Sequence, residues 1–151
     1  MSIGTLSFSH LTAGQQIAIK YYSVAVVLFA AQIVFGLLAG LQYLMPEVLY
    51  NTLDFSVNRT VHVNAMIVWM LYGFMGSIFW LVEEESGVEL VGAKLENLGF
   101  WVLTAAVTVV VLVYLLVQTG PGNMESLWFI NEGREYIEAP RWADIGIVIC
   151  L

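Results

Sequence analysis

His62 is the one histidine within the long apolar part of the chain. It is set in Val57-Asn58-Arg59-Thr60-Val61-His62-Val63-Asn64, at the mouth of an apolar run that continues to Val82. An ionisable group is expensive to place in a bilayer, so its presence there points to function. Neutral imidazole is also the commonest protein ligand for a metal. Arg59 lies three residues earlier, and residues three apart on a helix share a face. With the arginine nearer water and the imidazole deeper, the pair matches the polarity of a haem, which has iron at its centre and two carboxylates on one edge. Imidazole on the iron and guanidinium on a propionate would pair the buried charges, because the arginine fork binds both carboxylate oxygens. The alternative is a histidine hydrogen-bonded to a neighbouring helix near the membrane interface, and the spacing leaves both readings open. Asn64 is a further polar group whose direction the sequence does not fix. His10 lies in the polar N-terminal segment and reads as solvated, so a second axial ligand would have to come from residues not present here.

A second cluster is Glu132-Gly133-Arg134-Glu135-Tyr136-Ile137-Glu138, four charges in seven residues ahead of Pro140. One reading is a solvated amphipathic loop. The other takes Glu132, Glu135 and Glu138 as one helical face, where carboxylates could bind a hard cation through oxygen or relay protons. The segment lacks the residue order of a calcium-binding EF-hand loop, so such a cation site needs further donors.

The elements that would position these residues are membrane helices. Of the 151 residues 60% are hydrophobic and only 11% charged, and the mean hydropathy is +0.82. A soluble domain carries about a quarter charged residues, so the shortfall argues for lipid as solvent. The net charge of −7 disfavours nucleic acid as a partner. Cys150 is the single cysteine, which excludes an internal disulfide framework and a multi-thiolate metal site. Residues 1–20 are polar and lack the apolar core of a cleavable signal.

Apolar runs predict spanning helices at about 21–45, 61–82 and 98–117, since roughly 20 apolar residues cross a bilayer. Pro46 is expected to end the first, and Glu83-Glu84-Glu85 to stop the second. Gly36 and Gly40 form a small-xxx-small pair that would let another helix approach, and ordinary lipid-phase glycine is an equal reading. The β-branched run Val107–Val111 would suggest a strand in water, but in lipid a lone segment must pair its backbone internally as helix. Gly120-Pro121-Gly122-Asn123 marks a turn after the third span. A fourth apolar run begins after Asp144, at about residue 143–145, and is cut at Leu151, too short to cross. The expectation is an all-α, polytopic helix bundle in which residues 1–151 form the N-terminal part of a single membrane domain. Lys20 and Lys94 fall on one side and Arg59, Arg134 and Arg141 on the other, a count that slightly favours a cytoplasmic histidine end. Arginines that hold a cofactor are not topology signals, so this count carries little weight.

The blocks Arg59-Thr60-Val61-His62-Val63-Asn64, Ile67-Val68-Trp69, Gly73-Phe74-Met75-Gly76 and Glu83-Glu84-Glu85-Ser86 closely resemble the catalytic subunit of cytochrome c-type nitric oxide reductases, in the haem-copper oxidase superfamily. The likeness extends to Gly36 through Gln42-Tyr43 and to Gly133 through Pro140, and so covers nearly all the chain beyond its first 15 or so residues. It implies a fold of about a dozen spanning helices, of which this chain holds three and the start of a fourth. By that resemblance His62 is the axial ligand of a low-spin haem b, and Arg59 and Arg134 lie near the haem propionates. Glu135 binds a calcium ion bridging the propionates, and Glu138 is linked to proton entry on the periplasmic side. Haem b3 and non-haem iron would be held by later helices of the same subunit, and the reaction centre would reduce nitric oxide to nitrous oxide. The implied setting is the bacterial inner membrane, multi-pass, with the haem-ligand end toward the periplasm. The implied partners are membrane lipid and a membrane-anchored cytochrome c subunit that donates electrons. This segment alone is expected to be inactive.

Val63 departs from a common threonine, and Glu83 from a frequent proline, and neither change removes a ligand. The large N-terminal extension of the quinol-using branch is not seen in this chain. Two other classes compete. A cbb3-like oxygen-reducing oxidase also has a His-x-Asn start, but the Glu132–Pro140 block speaks against it. A non-enzymatic membrane protein would use only its small-residue faces, and would bind no haem.

Overall fold

The computed structural model describes residues 11–49, 52–53 and 55–119, with side chains described as far as residue 112. The Glu132–Glu138 cluster, the run after Asp144, His10 and Cys150 lie outside the described residues. Three α-helices make up the architecture: α1 (Ala13–Leu44), α2 (Phe55–Ser86) and α3 (Ala93–Thr119). Among the described residues there is no strand, and Val107–Val111 is helical, as internal backbone pairing in lipid requires. All three helices are long and apolar enough to cross a membrane.

Each helix outruns the apolar window that predicts it, and local capping explains where it stops. α1 starts eight residues before Tyr21 because Thr12 and Gln15 form a capping box. It ends at Leu44, one residue before the Met45 cap and two before Pro46. The glutamates at 83–85 do not stop α2, which continues to Ser86. The break comes at Gly87, whose φ of 64° is a left-handed turn that glycine adopts without a Cβ penalty. At about 1.5 Å per residue, the 32 residues of α1 and of α2 exceed a hydrocarbon core of about 30 Å, so their ends reach the polar layers.

α1 and α2 form an antiparallel hairpin, and α3 lies against it through one face. The centre of this packing is aromatic. The Tyr21 ring lies 5.5 Å from Tyr72, 5.4 Å from Phe79 and 5.0 Å, edge on, from Phe100. The hydroxyl of the fully buried Tyr72 is 3.0 Å from Thr104 Oγ1, joining α2 to α3. Tyr22 donates to Ser77 Oγ at 3.1 Å and packs on Gly76, where a Cβ would lie 3.1 Å from the ring. Lys20 Nζ donates to Asn97 Oδ1 at 2.6 Å, linking α1 to the first turns of α3.

Polar clasps close both ends of the hairpin. At the α1 N-terminus the buried Glu83 carboxylate accepts from Gly14 N at 2.9 Å, Gln15 N at 3.2 Å and the Thr12 hydroxyl. It also accepts from Leu90 N at 2.8 Å, in the connection to α3. A carboxylate here satisfies amides that the first turn of a helix leaves without partners, and it meets the positive end of the helix dipole. At the other end the buried Gln42 amide donates to the carbonyls of Val48 at 2.9 Å and Leu53 at 2.6 Å, and its oxygen accepts from Asn58 Nδ2 at 2.7 Å. Between those two carbonyls Leu49 has φ 59°, a conformation disfavoured for a side chain with a Cβ. Gln42 therefore holds a strained turn from both sides.

Two outcomes follow for stability. Glu83→Ala strands several buried donors and is expected to cost about 2–3 kcal/mol, read as a lower unfolding temperature in detergent, with Glu83→Gln recovering part of the loss. Leu49→Gly is expected to stabilise by about 1 kcal/mol by relieving the left-handed strain, whereas Gln42→Ala destabilises. A Leu49→Gly protein no more stable than the parent would contradict the strain.

Candidate functional site

The expected pair stands on one helix. α2 begins at Phe55, four residues before Arg59, so Arg59 and His62 are one turn apart and on the same side of it. Val57 and Val61 on this turn are buried against Phe35 and Leu53, and Asn58 is fully buried under Gln42. These contacts fix the backbone from which the imidazole projects.

His62 points toward α1. Its Nδ1 is 2.7 Å from the backbone carbonyl of Gln32. A carbonyl only accepts, so Nδ1 carries the hydrogen, and in the neutral ring the lone pair is left on Nε2. The ring rests on Gly36, where a Cβ would come within 2.6 Å of Nδ1 and 2.7 Å of Cε1. The histidine bonded to a neighbouring helix and the histidine that offers a ligand nitrogen are thus compatible: one ring nitrogen does each task. Metal-binding histidines commonly donate their second ring N–H to a carbonyl in this way.

Around the imidazole the facing surfaces are Phe29, Gln32 and Gly36 on α1 and His62 and Trp69 on α2. Phe29 and Trp69 meet edge to face, with ring centres 5.1 Å apart. The Gln32 Oε1 and Trp69 Nε1 atoms are buried with no hydrogen-bond partner among the described residues. Arg59 is half-buried, and among the described residues it has no ion pair or hydrogen bond. A guanidinium with no counter-charge among the described residues, one turn from a histidine whose Nε2 has no partner among them, is a donor set suited to a ligand with a metal centre and an acidic edge. Asn64 does not join it: the exposed side chain bonds back to the Thr60 carbonyl of its own helix at 2.9 Å.

Among the described residues no three histidine, cysteine, aspartate or glutamate side chains gather as a metal cluster. Arg134, Glu135 and Glu138 lie outside the described residues. Sequence reading missed Gln32, whose backbone rather than its side chain contacts the ring, and the Gln42–Asn58 clasp beneath the site. It paired Gly36 with Gly40 as a helix-contact motif. In the structure a Cβ at Gly36 would meet the His62 ring, whereas one at Gly40 would meet nothing within 4 Å among the described residues. The signal available in sequence was the presence of the polar residues Gln32 and Gln42 in the otherwise apolar first span.

The family model for cytochrome c and quinol oxidase polypeptide I matches residues 16–151. A nitric oxide reductase subunit of Stutzerimonas stutzeri is 41% identical over 140 residues, which cover 89% of this chain and 29% of that relative. The chain thus spans less than a third of the length of this curated relative. With nearly all of it inside the family match, the chain belongs to the cytochrome c and quinol oxidase polypeptide I family.

Proposed function

We propose that this chain is the N-terminal part of the haem-binding catalytic subunit of a bacterial nitric oxide reductase, a multi-pass protein of the inner membrane. The complete enzyme reduces two nitric oxide molecules to nitrous oxide and water with two protons and two electrons, the electrons coming from a cytochrome c subunit. The observation that carries this reading is the His62 ring, held through Nδ1 on the Gln32 carbonyl, with Arg59 one turn away and without an ion pair among the described residues. The 41% identity to a nitric oxide reductase subunit supports nitric oxide over oxygen as the substrate.

In this reading His62 Nε2 would hold the iron of a low-spin haem b, and Arg59 would neutralise a propionate. When bound, such a haem supplies one-electron transfer at a potential tuned by its ligands and their hydrogen bonds. The chain's own residues hold and orient. Gln32 fixes the ring's N–H, Val57 and Val61 anchor the first turns of α2, and Phe29 and Trp69 pair across the same α1–α2 seam. Arg134 is a second propionate partner, Glu135 a calcium ligand and Glu138 a group at the periplasmic proton entry. Haem b3 and non-haem iron belong to the remaining helices of the subunit, which pack on the exposed faces of this segment.

In the full-length subunit, His62→Ala is expected to abolish the low-spin haem absorption and lower nitric oxide consumption by more than about 100-fold. An unchanged low-spin spectrum would refute the ligand. Arg59→Leu is expected to lower the midpoint potential of that haem, since a nearby positive charge favours the reduced form, and Arg59→Lys to restore most of it. Redox titration reads both. Glu135→Ala is expected to reduce bound calcium in the purified complex. Equal calcium content in parent and variant, by elemental analysis, would remove that role.

A further inference from the structure

Gly36 takes part in a second relation besides its contact with the ring. In an α-helix the carbonyl of residue 32 accepts the amide of residue 36, so the Cβ of residue 36 stands beside that same carbonyl oxygen. The Gln32 oxygen also accepts from His62 Nδ1 at 2.7 Å, from the side where residue 36 has no Cβ. A Cβ at this position would lie 2.6 Å from Nδ1, 2.7 Å from Cε1 and 3.4 Å from Cγ. Separations under 3.0 Å do not occur at real Cβ atoms, so the ring would have to move. α2 cannot easily retreat, because Val57 and Val61 are packed on Phe35, and Asn58 is bonded to Gln42. The imidazole would instead swing off the Gln32 carbonyl.

We propose that Gly36 and the Gln32 carbonyl are positioning groups for His62, fixing its N–H on Nδ1 so that α1 sets the electron-donor strength of the imidazole carried by α2. This rests on the reading of His62 as a haem ligand. Donation from Nδ1 to a carbonyl makes Nε2 a more basic ligand. A more basic ligand favours oxidised over reduced iron, so losing the bond raises the midpoint potential. The carbonyl cannot be removed by substitution, which makes residue 36 the handle.

The test uses the full-length subunit with its partner, comparing Gly36→Ala, Gly40→Ala and His62→Ala. Gly40 lies one turn further along α1 with nothing within 4 Å, so its variant controls for a methyl added to the helix. Gly36→Ala is expected to retain low-spin haem but to shift its midpoint potential upward and change its electron paramagnetic resonance g-values. The shift corresponds to about a tenfold change in the reduced-to-oxidised ratio, 59 mV for one electron. Gly40→Ala should match the parent in both. If His62→Ala loses the low-spin haem while Gly36→Ala keeps the parent's potential and g-values, the positioning role is overturned and the ligand stands. If His62→Ala keeps the low-spin haem, both fall. Should Gly36→Ala fail to assemble, electron–nuclear double resonance on the parent in H2O and D2O decides. An exchangeable Nδ1 proton on the axial ring is expected, and its absence overturns the proposal.

Discussion

Lipid offers no hydrogen bonds, so polar groups that α1 and α2 press together depend on partners from the facing helix or a turn, and among the described residues only Gln32 Oε1, Asn58 Oδ1 and Trp69 Nε1 are buried side-chain atoms left without one. That constraint organises this segment. Glu83 answers to the free amides of α1, Gln42 to two turn carbonyls and Asn58, and His62 to the Gln32 carbonyl. Between these points the contact is aromatic, with Tyr21 at the meeting of three helices. Polar groups locate the helices, and apolar packing fills what they enclose.

The same constraint shapes the site. A histidine in this environment has two ring nitrogens, and α1 occupies one of them. The other, together with the Arg59 guanidinium, is the chemistry left over for something else. On the function proposed above, an iron porphyrin with acidic side chains is the ligand whose charges match. Phe29 and Trp69 line the apolar part of the same surface, and large parts of all three helices remain exposed for lipid or for further helices.

The three helices of the described residues and the shared face of Arg59 and His62 were legible in the sequence, because hydropathy and three-residue spacing carry that information directly. Helix ends were not. The apolar window of α1 opens at Tyr21, but a capping box at Thr12 and a carboxylate 71 positions away set the true start. Glu83 looked like a stop because acids usually belong in water, whereas here it is buried by a contact no local pattern encodes. Gly36 was legible as a site of close approach, but what approaches is a side chain, and its partner is a main-chain oxygen with no residue signature. The Glu132–Glu138 block was read from its spacing and from resemblance, and it lies outside the described residues.

The clasps at the two ends have one more consequence. Two smooth apolar helices in a bilayer can slide or rotate past each other at little cost, since acyl chains replace the contacts they lose. This pair cannot. A displacement of one turn would strip Glu83 of its amides and Gln42 of its carbonyls at the same moment, at opposite edges of the membrane. The alignment of α1 with α2 is therefore a discrete choice, and the depth at which His62 sits is fixed by groups well outside its own surroundings.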